Sequence, residues 1–346
     1  MDAREALGAV AAGRTLTRSQ AESAMGSVMA GEATAAQLGA LLGALAMRGE
    51  TIDEIAGFAL GMRAAALPVR LRVADAVDIV GTGGSRIDPF NISTVASIVA
   101  AAAGLPVAKH GNRAASGRCG SADVLEALGV KIDLGPDAIA SCVAEAGIAF
   151  MFAARFHPAM RHAGPVRREM GIRTVFNILG PLANPAGLKR MVVGVASPAI
   201  GEKVARVLGE LGADHVIVVH GSDGLDDITP SGTTQTWELR SGSLREGTID
   251  PRDLGLPVVR DADISSGDPA QNAATTRSIL AGEPGARRAA VLLNAAAALL
   301  VGGRVGDLRE GIDRAATAID SGAATARLER FIVTSQALGA AEAMAS

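Results

Sequence analysis

Residues 78–94, DIVGTGGSRIDPFNIST, begin as an apolar strand, pass through a run of small residues and open a helix at Asn91, Ser93 and Thr94. Glycines 81, 83 and 84 remove side chains where strand hands over to helix, so backbone N–H groups can approach an anion closely. The stretch predicts a phosphate cradle at the carboxyl end of a strand, the place where ligands bind in open parallel sheets.

The surrounding chain predicts such a sheet. From about residue 73, short and often β-branched runs (VADAVDIV, LPVAKH, VKID, MVVGVA, HVIVVHG and RRAAVLLN) alternate with Ala- and Leu-rich helical stretches such as ISTVASIVAAAAG and IGEKVARVLGELG. That alternation argues for a mostly parallel sheet covered by helices. Ahead of it stand three evenly spaced capping-box pairs, Thr17 with Gln20, Thr34 with Gln37 and Thr51 with Glu54, which predict short helices in antiparallel succession. The expected fold class is α/β: a small helical domain over residues 1–68, and a larger α/β domain over residues 69–346.

Composition narrows the partners. A chain of 346 residues, 49% hydrophobic and 20% charged, is long enough for two cores. The net charge of −3 provides no general positive field for nucleic acid or an acidic membrane, and the absence of tyrosine argues against base-stacking platforms. The amino terminus lacks the basic-then-apolar order of a signal peptide, and no apolar run reaches the roughly 20 residues of a membrane span, so a cytoplasmic protein is expected. Cys119 and Cys142 are expected as free thiols.

Three further stretches carry chemistry. PVAKHGNRAASGRCGSADVLEALG repeats the strand, loop and helix layout: Lys109 supplies a flexible charge, Asn112 and Arg113 directional donors, and Ser116, Gly117 and Ser121 room for a phosphate. Alone, each loop reads equally as an ordinary glycine turn; two of them with Lys109 inserted favour a ligand with two anionic ends. In HVIVVHGSDGLDDIT, Asp226 and Asp227 follow a strand end. Such a pair by itself is more often a solvated turn or helix cap, but beside two phosphate loops it suits Mg²⁺. The first part of HPAMRHAGPVRREMGIRTVFNILGPLANPAG predicts an amphipathic helix with basic residues at 161, 167 and 168, and Pro181 and Pro185 break the chain afterwards. Helical character returning over about 160–182 predicts that this segment rejoins the amino-terminal helices, where an arginine could face a substrate carboxylate or simply water. His157, His162, His215 and His220 form no recognisable metal set and receive no role.

GTGGS, FNIST, KHGNRAASG with GSADVLEALG, HPAM through VRRE to RTVFNILGPLANP, and GLDDI occur in an order that resembles the anthranilate phosphoribosyltransferase family, over nearly the whole chain. The resemblance implies a homodimer of two-domain subunits that transfer phosphoribosyl from phosphoribosyl pyrophosphate (PRPP) to the amine of anthranilate in tryptophan synthesis, with Mg²⁺ as cofactor. It implies that Gly81, Thr82, Gly83, Gly84, Ser85, Asn91, Ile92, Ser93 and Thr94 cradle pyrophosphate and ribose. Lys109, His110, Gly111, Asn112, Arg113, Ala114, Ala115, Ser116, Gly117 and Ser121 form the second phosphate loop. Asn112 and Arg167 match the anthranilate contacts, with His110 beside them; Ser93, Asp226 and Asp227 match the metal ligands. The catalytic group so implied is Lys109, His110, Asn112 and Arg167.

Three positions depart from the family pattern. Ser85 stands where Asp is usual, Pro89 where Ser or Thr is usual, and Asp227 where Glu is usual. All three lie on the phosphate and metal side, which predicts altered metal and PRPP binding beside an intact acceptor side. Two other readings share the architecture: a pyrimidine nucleoside phosphorylase-like enzyme, whose lysine-histidine loop differs after the histidine, and a non-catalytic relative that binds another ligand such as nucleic acid.

Overall fold

The computed structural model of the chain describes residues 1–85, 87–114 and 117–345. Four helices come first: α1 (Ala3–Ala11), α2 (Arg18–Met29), α3 (Ala35–Arg48) and α4 (Ile52–Ala64). Thr17, Thr34 and Thr51 cap α2, α3 and α4 with the reciprocal hydrogen bonds their spacing predicts. Gly57 and Gly61 let α2 and α4 touch, because a Cβ on either would fall on the backbone of α2. Glu54 is fully buried, yet its carboxylate accepts from Leu16 N, Thr51 N and Arg48, which ties three chain segments together instead of leaving a bare charge.

The rest alternates strand and helix: β1 (Val77–Gly81), α5 (Ile92–Ala102), β2 (Val107–Gly111), α6 (Ser121–Leu128), α7 (Pro136–Ala146), β3 (Ile148–Phe152), α8 (Ala153–Phe156), α9 (Met160–Met170), α10 (Phe176–Leu182), β4 (Arg190–Gly194) and α11 (Gly201–Glu210). Then come β5 (His215–Gly221), β6 (Thr234–Arg240), β7 (Ser243–Ile249), α12 (Pro269–Leu280), α13 (Ala286–Val301), α14 (Leu308–Asp320) and α15 (Ala323–Ala345). The seven strands form one sheet in the order β3-β2-β1-β4-β5-β6-β7. The first five are parallel and the last two antiparallel. This is the expected class: a small helical bundle ahead of a larger α/β part with a mostly parallel sheet. One core lies between the sheet and α5, α7, α13 and α15; the other lies between its opposite face, α11 and the helical layer. Helix α9 packs on α2 and α3, and α10 on α4, so the chain returns to the first helices midway.

Two of the runs read as strands are not. VKID is an irregular connection between α6 and α7, and RRAAVLLN lies inside α13. A short apolar run has no periodicity to separate strand from buried helix, and α13 is buried on nearly every side, which erases the polar face that marks a helix. Three strands were not anticipated. β3 is a short continuous apolar run, and β6 and β7 form a hairpin turned by Ser241 and Gly242, both with positive φ. Cys119 and Cys142 are free thiols.

Candidate functional site

Beyond the carboxyl ends of β1, β2, β3 and β5 lies a cavity of about 980 Å³. Ala115 and Ser116 lie outside the described residues, and Thr94 is buried one turn into α5, where its hydroxyl donates to Ser121 Oγ at 3.1 Å. Every other residue that the sequence singled out for a ligand or a metal lines this cavity.

The three glycines of the first loop serve different needs. A Cβ on Gly81 would fall on the Asp226 carboxylate, and one on its register partner Gly194 would strike the Asp226 backbone. The end of β1 is therefore bare so that the carboxylate loop can lie across it. Gly83 has φ 71° with open space around it, a conformation that favours glycine on backbone grounds alone. Gly84, at φ 80°, faces the guanidinium of Arg173. Asp226 accepts from Gly83 N at 2.7 Å and from the Ser85 hydroxyl, while Ser85 Oγ accepts from Asp226 N at 3.0 Å. Ser85 thus latches the first loop to the carboxylate loop.

Asp227 lines the cavity beside Asp226. Burial, then the neighbouring Asp226 charge, pushes the Asp227 carboxyl well above the usual range, against the pull of Lys109. Two adjacent carboxylates short of positive charge are a hard-oxygen donor set suited to a divalent cation. Among the described residues no group of three His, Cys, Asp or Glu converges, so such an ion would complete its shell from water and ligand oxygens. Behind the pair, buried Asn294 of α13 accepts from Ile228 N and donates to its carbonyl, both at 2.9 Å. The residue that fixes the carboxylate loop is thus the last of the stretch misread as a strand.

Lys109 is buried, and its ammonium donates to the Ile79 carbonyl and to Ser93 Oγ. Burial lowers its pKa, and the charges of Asp78, Asp227 and Asp226 oppose that shift. Asp78, on β1, is fully buried with Asn184 and His110 N as donors, and burial raises its pKa to about 6.

The second loop is closed by its own helix. Asp123 of α6 accepts from Gly120 N at 2.8 Å, Ala114 N at 3.1 Å and Arg113 at 2.8 Å. A Cβ on Gly120 would overlap Ala114 N and Arg113 C. Arg113 also pairs with Glu126, so its charge is matched at the loop's outer edge. Asn91 joins the two loops: its amide donates to the Cys119 carbonyl at 2.9 Å and accepts from Asn272 at 2.9 Å.

The opposite wall comes from α9, α10 and the end of β3. The Arg167 guanidinium lies 5.1 Å from the centre of the Phe176 ring and is in no ion pair among the described residues; burial lowers its pKa. His110 and His157 are buried with ring centroids 5.1 Å apart. Burial lowers their pKa values to about 3 and about 4, respectively. Each bonds a backbone group, of Gly180 and Ala183, and each leaves a buried Nε2 without a partner among the described residues. Sequence reading missed His157 because it missed β3, whose carboxyl end leads to it.

Residues 4–66 match the helical bundle domain of a glycosyl transferase family, and residues 73–325 match its a/b domain. The anthranilate phosphoribosyltransferase of Thermomicrobium roseum is 54% identical over 96% of this chain and 97% of its own length. That of Methylorubrum extorquens is 52% identical over 96% and 98%. Among solved structures, the enzyme of Thermus thermophilus superposes with a TM-score of 0.92 at 42% identity, covering 97% of this chain and all of that one. The Saccharomyces cerevisiae enzyme in complex with PRPP and Mg does so with a TM-score of 0.89 at 25% identity, over 96% and 97%. The chain therefore belongs to the anthranilate phosphoribosyltransferase family, the enzymes that move a 5-phosphoribosyl group from PRPP to the amine of anthranilate.

Proposed function

We propose that the cavity at the carboxyl ends of β1, β2 and β5 is where this transfer takes place. The observation that carries the reading is the convergence of the β1 glycine loop, Lys109 and the Asp226–Asp227 pair on one wall, with Arg167 and His110 on the other. PRPP would lie with its diphosphate and ribose along Gly81–Ser85 and Asn91–Ser93, and its 5-phosphate in the Lys109–Gly117 loop near Ser121. Anthranilate would set its carboxylate against Arg167 and Asn112, with the Arg167 fork, in no ion pair among the described residues, as the stronger anchor. Asp226 and Asp227, with Ser93 beside them, would hold Mg²⁺, which neutralises charge on the departing diphosphate.

As the C1–O bond breaks, the diphosphate takes the electron pair and positive charge grows on the ribose. The amine nitrogen then forms the C1–N bond, and its extra proton passes to water or to the released diphosphate. Lys109 is fixed by Ile79 and Ser93 before any substrate arrives, so its charge needs no reorganisation as charge develops on the phosphates. The unpartnered Nε2 of neutral His110 can accept an amine hydrogen, which orients the lone pair toward C1. Placement within about 3–3.5 Å does most of the remaining work.

The working unit would be a homodimer in the cytoplasm. Its smaller domain, residues 1–68 joined by helices from about 160–182, would close over the larger one, 69–346. Among the described residues no helix is long and apolar enough to cross a membrane. The test follows anthranilate fluorescence with PRPP and Mg²⁺ varied. Loss of signal only when both are present is the expected result; a folded protein that never consumes the amine contradicts the reading.

A further inference from the structure

We infer that Arg173 is a diphosphate clamp: its guanidinium, now resting on the glycine loop, grips the leaving diphosphate of PRPP and carries the α9–α10 corner across the cavity. This rests on the reading that PRPP lies along the glycine loop.

Among the described residues, five cationic side chains line the cavity. Lys109 is buried and held by Ile79 and Ser93, and Arg113 is paired with Asp123 and Glu126. Arg167 lies over Phe176, and Arg168 sits beside it on α9. Arg173 alone among them meets the glycine loop: a Cβ on Gly84 would fall on its Nη1, and its Nη2 lies 3.4 Å from the Gly83 carbonyl, a long bond. It is exposed and in no ion pair among the described residues.

The backbone around Arg173 is built to present it. Gly171 ends α9 with φ 61°, and Asn177 accepts from Thr174 N at 2.9 Å as α10 begins, so Arg173 stands in the short connection between the two helices. Both flanking helices pack on the amino-terminal helices, whereas the glycine loop belongs to the sheet. A diphosphate carries several negative charges, and a planar guanidinium can take two of its oxygens at once. Exchange of one long carbonyl contact for that bidentate pair pulls the two halves of the molecule together only when the diphosphate is present.

Titration calorimetry with inorganic pyrophosphate in Mg²⁺, together with KM for each substrate, tests this on Arg173→Ala, Arg173→Lys and, as a reference for the loop, Asp226→Asn. The expected result for Arg173→Ala is a rise of about 10-fold or more in both the pyrophosphate Kd and the PRPP KM. Its anthranilate KM stays within about twofold and its melting temperature is unchanged, as suits an exposed residue, while Arg173→Lys recovers part of the loss because it keeps the charge without the fork. A rise confined to the anthranilate KM would overturn the proposal, placing Arg173 at the acceptor. Unchanged pyrophosphate binding in Arg173→Ala, with binding lost in Asp226→Asn, would overturn it while leaving the loop reading intact. Unchanged binding in both would remove the loop reading as well.

Discussion

The two strand-to-helix loops share a layout in sequence and differ in what holds them. The loop after β2 is closed by its own helix: Asp123 binds three donors of the loop, and Arg113 is tied to two carboxylates of α6. The loop after β1 is held by visitors: Asp226, bonded to Gly83 N and to the loop's own Ser85, from one side and Arg173 from the other. A loop that satisfies itself makes a fixed wall. One that depends on groups from other segments can exchange them for a ligand and a metal, so the two loops proposed to hold the ends of PRPP would have unequal freedom.

The largest effect should come from removing charge at the movable loop. Asp226→Asn keeps an oxygen for Gly83 N but loses the negative charge; kcat/KM should fall about 100-fold or more, about 2.7 kcal/mol, with little change in melting temperature. A fall in stability without a fall in activity would erase the distinction between the loops.

Next come paired glycine substitutions. Gly120→Ala forces a methyl into the backbone of Arg113 and Ala114 and should cost about 2–3 kcal/mol in urea unfolding. Gly83→Ala meets no atom within 4 Å and should cost only the about 1 kcal/mol of its positive φ. Equal costs would mean that both loops are equally rigid.

What was legible in the sequence follows the same divide. Caps, glycine loops and the adjacent aspartates are local signals, and each stands where its spacing put it. Asn294 and His157 were not legible: one is a buried polar residue in a helix without a polar face, and the other follows a short strand that lacks alternation. Arg173 lies in a quoted motif, yet its meaning depends on Gly84, which only the folded chain brings near. Pro89, which lies in an isolated bridge with Ser265, gains no functional explanation from the structure.

The opposite wall, with its buried histidines, should also show in acid. His157 titrates at about 4 when folded and near 6.5 when unfolded. Between those values the unfolded chain holds the extra proton, so this group's contribution to stability is present above pH 6.5 and is lost as pH falls. Asp78 has the opposite sign, because its folded pKa is raised to about 6 and it favours the folded state as pH falls through that value. The difference between wild type and His157→Gln isolates the histidine: between pH 6 and 4.5 the wild type should lose stability faster by up to about 1.4 kcal/mol per pH unit. Parallel curves would mean that His157 is open to water, and the wall less fixed than its burial indicates.

The smallest effect is expected at Ser85, where the family resemblance leads one to expect Asp. Its hydroxyl donates to the Asp226 carboxylate and its oxygen accepts from Asp226 N, so it orients the carboxylate proposed for Mg²⁺ without adding charge. Ser85→Ala removes both bonds and should raise the Mg²⁺ midpoint several-fold, about 1 kcal/mol, with unfolding unchanged. Ser85→Asp adds a third carboxylate beside Asp226 and Asp227; it should lower the Mg²⁺ midpoint and alter the PRPP dependence with it. Opposite shifts in the two variants would make Ser85 a neutral latch on the carboxylate loop. Unchanged Mg²⁺ and PRPP curves in both would mean that the first loop is held by Arg173 and Gly83 alone.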